Sequence, residues 1–255
     1  MKETEQNEFY VGYLPQAPPR IARWVRRLCL ALFITTSAVA ILLVRGQHKF
    51  PLSVFEFQQY RPFEGTVRAQ PYPTLFIERS GAAGQAPASY LLVAPGKHGA
   101  AADVAGYDNR RVRLQGALIY RDGMTMIEIV PDSLVPLDAA TAKAAPSAVA
   151  LGAFTLAGEI VDSKCYLGVM NPGHTKPHRE CATRCISGGI PPLFIARDKD
   201  GRTAALLLVS ASGAPVNQAV LDLVAEPVEI SGEVVRTGEQ LFLRADPATY
   251  RRIGK

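Results

Sequence analysis

A chain of 255 residues with 48% apolar and 20% charged residues carries enough apolar side chain to bury one or two ordinary cores. It shows no low-complexity repeat or strong Pro/Gly bias, so fibrous and linker-like classes are excluded. The formal net charge of +5 is modest and scattered, which leaves a nucleic-acid-binding reading without a basic patch to rest on.

The first element in chain order is an uncharged run at residues 28–44, LCLALFITTSAVAILLV, with Arg23, Arg26 and Arg27 before it and Arg45 and Lys49 after it. Seventeen helical residues reach roughly 25 Å, and snorkelling arginines with Trp24 at the interface make up the difference to a bilayer core. The spacing predicts one transmembrane helix. Lys2, Arg20, Arg23, Arg26 and Arg27 outnumber the cations just past the run, so the positive-inside rule puts residues 1–27 in the cytoplasm and everything beyond about residue 46 outside. The expected location is a bacterial inner membrane, single-pass, with periplasmic C-terminal domains. A cleaved signal peptide is the competing reading, but the 27-residue lead is long for one and Ser37–Ala40 lies inside the apolar run. Cys29 reads as a small apolar residue of the span.

Past the membrane the sequence repeats itself. Phe63–Val67, Leu75–Arg79, Leu91–Val93, Val112–Leu118 and Met126–Ile129 are matched in order and type by Leu156–Ile160, Leu193–Arg197, Leu207–Val209, Val228–Val234 and Leu241–Leu243. Alternation at Val112/Leu114 and Val228/Ile230, with turns at Arg121-Asp122-Gly123 and Thr237-Gly238-Glu239, reads each half as five short strands. A weak helical patch, at 101–105 or 217–224, falls between the third and fourth strands. Gly116 and Gly232 suit tight mid-strand bends. The order strand, strand, strand, helix, strand, strand resembles an OB-fold barrel. The expected organisation is mainly β: a first OB-like domain at 54–136, an Ala/Pro linker at 137–151, and a second OB-like domain at 152–250.

The two copies disagree at one place. From Gly65 to Phe76 is 11 positions and from Gly158 to Phe194 is 36, so the second copy carries about 25 extra residues between its first two strands. This insertion, 165–189, holds Cys165, Cys181, Cys185, His174 and His178, which include every cysteine outside the apolar run. Pro177 suits the first position of a helix ending at Gly188-Gly189, and spacings of three and four put His178, Cys181 and Cys185 on one face. With Cys165 from the end of the preceding strand they make a Cys3His set, suited to zinc, copper or an iron-sulfur cofactor, with His174 as a spare ligand. Outside the cytoplasm the same thiols also suit a disulfide stapling the loop, and the odd count then leaves one cysteine over. Lys164, Arg179 and Arg184 are cations near the thiols; the last two read as a solvated helix face.

The segment 158–168 together with 181–192 resembles a stretch of membrane-anchored bacterial proteins of unassigned activity, a resemblance that implies no reaction. No G-x-S-x-G elbow, phosphate-binding glycine loop or H-E-x-x-H is present, and His48 and His98 lack clustered partners. No catalytic residue is assigned. The expected function is therefore a membrane-anchored extracytoplasmic accessory protein that binds a metal or redox cofactor and serves another membrane or periplasmic protein. A non-catalytic scaffold with a stapled loop and a thiol oxidoreductase are the alternatives.

Overall fold

The computed structural model describes residues 17–46, 52–79, 86–137 and 146–254. The N-terminal unit contains α1 (Pro19–Gly46), with Pro19 at the start, where its missing N–H costs nothing. The helix extends the apolar run by about two and a half basic turns at its N-terminal end. It is long and apolar enough to cross a membrane, and none of its residues is buried.

The second unit, Phe50–Lys255, holds all the strands among the described residues. Those of the first half are β1 (Ser53–Phe55), β2 (Arg61–Arg68), β3 (Thr74–Ile77), β4 (Ala88–Val93), β5 (Arg111–Arg121), β6 (Met124–Ile129) and β7 (Val135–Pro136). Five of them close a barrel in the order β5-β2-β3-β4-β6 and back to β5, antiparallel except for the parallel pair β4/β6. The second half supplies β8 (Ala148–Asp162), β9 (Pro192–Arg197), β10 (Thr203–Val209), β11 (Pro227–Thr237), β12 (Gln240–Arg244) and β13 (Arg251–Arg252). Its barrel closes in the equivalent order, β11-β8-β9-β10-β12 and back to β11, again with one parallel pair, β10/β12. All ten strands of the sequence repeat are present, and the two five-stranded OB-like barrels are as expected. The short β1, β7 and β13 are additions on β5 and β11.

Two boundaries differ from the sequence expectation. Among the described residues, the helical patch of the first half is a run of turns around residues 101–106, whereas that of the second is a 3-10 helix, Gln218–Leu223. Strand β8 begins at Ala148, because it pairs with β11 along almost its whole length; residues 138–145 of the Ala/Pro linker lie outside the described residues.

Strand β5 shows how one sequence bends a barrel. Val112 and Leu114 point inward while Arg111, Arg113 and Gln115 point out, the period of a half-buried strand. At Gly116 the strand changes partner, pairing with β2 on one side of that residue and β6 on the other. A Cβ there would stand 2.3 Å from the Ile127 side chain and 2.7 Å from the Glu128 carbonyl oxygen. Gly116→Ala is expected to destabilise the barrel by about 1–3 kcal/mol, read as a lower urea midpoint with unchanged slope.

Each barrel has its own core, led by Leu75, Leu92, Leu114 and Ile127 in the first and by Ile160, Phe194, Leu208 and Ile230 in the second. A third core joins the barrels. It takes Leu91, Val93, Ile119 and Met126 from the first and Leu167, Leu193, Leu207 and Val209 from the second. Apart from Leu167, these are the alternate residues of strands that also line a barrel interior, so β4, β6, β9 and β10 are buried on both faces, and β4, β9 and β10 carry the unbroken apolar runs Leu91–Val93, Leu193–Ala196 and Leu206–Val209. Across this seam the Tyr72 hydroxyl donates to the Leu208 carbonyl at 2.6 Å and accepts from the Val216 amide at 3.3 Å.

Candidate metal centre

The insertion leaves β8 at Asp162 and makes one wide helical turn, Cys165–Val169, which buries Cys165, Tyr166 and Leu167. After a loop, a 3-10 turn at Lys176–His178 leads into α2 (Arg179–Ser187), as the Pro177 and Gly188 signals predict. Its inner face carries Ala182, Cys185 and Ile186 into the protein, and Cys181 sits half-buried one turn earlier.

Cys165, arriving from the strand, lies 4.0 Å from Cys181, sulfur to sulfur. Tetrahedral thiolates around one zinc stand about 3.7 Å apart, and a disulfide needs about 2.05 Å. Cys165, Cys181 and Cys185 are all free. Cys165, His178 and Cys181 have ligand atoms within 4.8 Å of one another, and so do Asp162, Cys165 and Cys185. Cys165 is common to both sets, which together form a possible metal-binding cluster of Asp162, Cys165, His178, Cys181 and Cys185. His174 belongs to neither set; its ring packs edge-on to Tyr166, with centroids 6.4 Å apart. Burial, with Arg121 and Arg197 nearby, holds His174 below the usual imidazole value.

Two participants escaped the sequence reading. Asp162 is fully buried and uses both oxygens: one accepts from the Cys165 amide at 2.8 Å, and the other lies 2.9 Å from His178 Nε2. A carboxylate that fixes a histidine ring in this way is a recurrent support of metal-binding histidines. An Asp at a strand end, three residues before the Cys, was the available signal. Lys97 comes from the first barrel, and its Nζ stands 2.7 Å from Cys181 Sγ and 3.8 Å from Cys185 Sγ. Its separation of 84 residues from Cys181 left no local signal.

The loop that delivers Lys97 is held tightly. The Gly99 amide donates to the Gly188 carbonyl at 2.9 Å, and a Cβ on Gly188 would stand 2.0 Å from the Lys97 carbonyl oxygen. Only glycine permits that approach. Lys164, a cation beside the thiols in sequence, points elsewhere. Its Nζ is buried, bonds the Ala94 and Gly96 carbonyls at 2.8 and 2.7 Å, and pairs with Glu128 at 2.5 Å. Of the helix cations, Arg179 pairs with Glu226 at 2.6 Å and Arg184 is exposed.

The electrostatics divide the thiols. The hydrogen bond between Cys165 and Cys185 pushes the Cys165 thiol well above its ordinary value, with burial adding to it, and the same bond draws Cys185 below. Lys97 also favours the Cys185 thiolate, and its own ammonium is held up chiefly by Cys181. Three soft donors, an imidazole, a supporting carboxylate and one cation make a set suited to a soft divalent or monovalent metal ion. In sequence comparisons the chain matches no protein-family model and no curated protein.

Proposed function

We propose that this protein is a membrane-anchored accessory protein that holds a soft metal ion, zinc or copper, or an iron-sulfur cofactor, in an extracytoplasmic Cys/His site. Cys165, His178, Cys181 and Cys185 are its ligands, and Asp162 orients His178. The observation that carries the reading is the position of Cys165, 16 residues before Cys181 yet 4.0 Å from it and within reach of two donor sets. The bound group stays on the protein, which presents it to a membrane or extracytoplasmic partner.

Metal analysis of the full chain, purified in detergent under reducing conditions without chelator, tests this. One equivalent of metal is expected, and cobalt substitution should give thiolate-to-metal charge-transfer absorption. Absence of metal, together with two thiols that react only after reduction in a second preparation made without reductant, would instead establish the stapled scaffold. The topology is tested separately: a reporter active only outside the cytoplasm should work when fused after residue 50 and at the C-terminus, following the charge bias around α1. Activity confined to cytoplasmic reporters at both points overturns the orientation.

A further inference from the structure

At the seam between the barrels, away from the cysteines, lies a cavity of about 150 Å³. Its polar lining is Arg68, Gln70 and Thr74 from the first barrel and Thr237, Gln240 and Arg244 from the second. Among the described residues no carboxylate lines it, while two guanidiniums do. Arg244 has a distant partner in Glu233 at 3.8 Å. The Arg68 Nε is buried without a hydrogen-bond partner among the described residues.

A buried N–H left unpaired costs about 1–3 kcal/mol, more when it belongs to a charged group. Native proteins seldom leave such a group without an occupant, whether water or ion. Guanidinium donors are fixed in a plane that matches the oxygens of a carboxylate or phosphate. Amide and hydroxyl groups from Gln70, Thr74, Thr237 and Gln240 add donors around the same space, and Phe76 and Phe242 wall it with apolar surface that strengthens any charge pairing inside.

We infer that this cavity is an anion-binding site, taking a small oxoanion or a compact carboxylate between Arg68 and Arg244. An anion there makes one polar contact set with each barrel, so its binding favours the closed seam. The site draws on no residue of the metal reading and stands or falls independently of it.

The test uses the full chain in detergent and an arginine-selective dicarbonyl reagent, with labelling at each arginine read by peptide mass spectrometry. Inorganic phosphate is the probe, added at constant ionic strength against chloride. At a phosphate concentration ten times its dissociation constant, labelling of Arg68 and Arg244 should slow about tenfold. Exposed Arg113 and Arg202 should be unchanged. Where Arg68 is too buried to label, Arg244 carries the reading. In Arg68→Gln, with its circular dichroism retained, phosphate should no longer protect Arg244. Equal protection at all arginines, no protection at the two, or protection of Arg244 that survives Arg68→Gln would each overturn the proposal.

Discussion

Cys165→Ser is expected to release the metal, lowering affinity by about 100-fold or more. Cys165 is the donor shared by both ligand sets, and its loss exceeds the 10- to 100-fold typical of a supporting residue. Asp162→Asn should fall within that lower range, because the amide keeps the shape but offers His178 and the Cys165 amide a poorer acceptor. Lys97→Met should weaken binding about tenfold through lost charge balance, with the stoichiometry kept. Competition against a chromophoric chelator, with the full chain in detergent, measures all three. A Cys165→Ser protein that holds its metal as tightly as the parent would remove Cys165 from the site.

Lys164→Met is expected to be strongly destabilising. The ammonium is 3% exposed, and its removal leaves Glu128 as a buried, unpaired carboxylate and orphans two carbonyls of the Lys97 loop. Breaking a buried pair from one side costs about 3–5 kcal/mol, a large share of a total near 5–15 kcal/mol. The double change Lys164→Met with Glu128→Leu should recover a substantial part, since no charge is then stranded. Urea unfolding of the single and double variants measures both. Equal midpoints for parent and single variant would show that the pair contributes nothing to stability. The single variant also frees the loop at Ala94 and Gly96, so its metal should exchange faster than the parent's.

Much of this fold was readable because strand periodicity and internal repetition are local signals. The pattern of Val112 and Leu114 against Arg111 and Arg113 gives β5 its inner face, and the second copy confirms the order of elements. The helix face of His178, Cys181 and Cys185 was readable for the same reason, since spacing and a Pro/Gly bracket decide it. Strands of two or three residues, such as β7, β13 and β1, carry too few residues for any period to show. The shared core was present in the sequence as unbroken runs, Leu91-Leu92-Val93 and Leu206–Val209, whose continuity marks burial on two faces. Lys97 and the seam cavity depend on which barrel face meets which, a long-range fact that spacing along the chain does not encode. Lys164 illustrates the converse: it is adjacent to Cys165 in sequence, but its ammonium bonds the Ala94 and Gly96 carbonyls while the Cys165 sulfur faces Cys181.

The third core sets an order of events during synthesis. Leu91, Val93, Ile119 and Met126 have left the ribosome well before Leu193, Leu207 and Val209, so one flank of the first barrel waits uncovered. At about 5–20 residues per second, the stretch from residue 130 to residue 210 takes roughly 4–16 s. Throughout that interval the early barrel offers neighbouring chains a sticky apolar flank, and a holding factor or slow production would raise yield more than any change to its own interior.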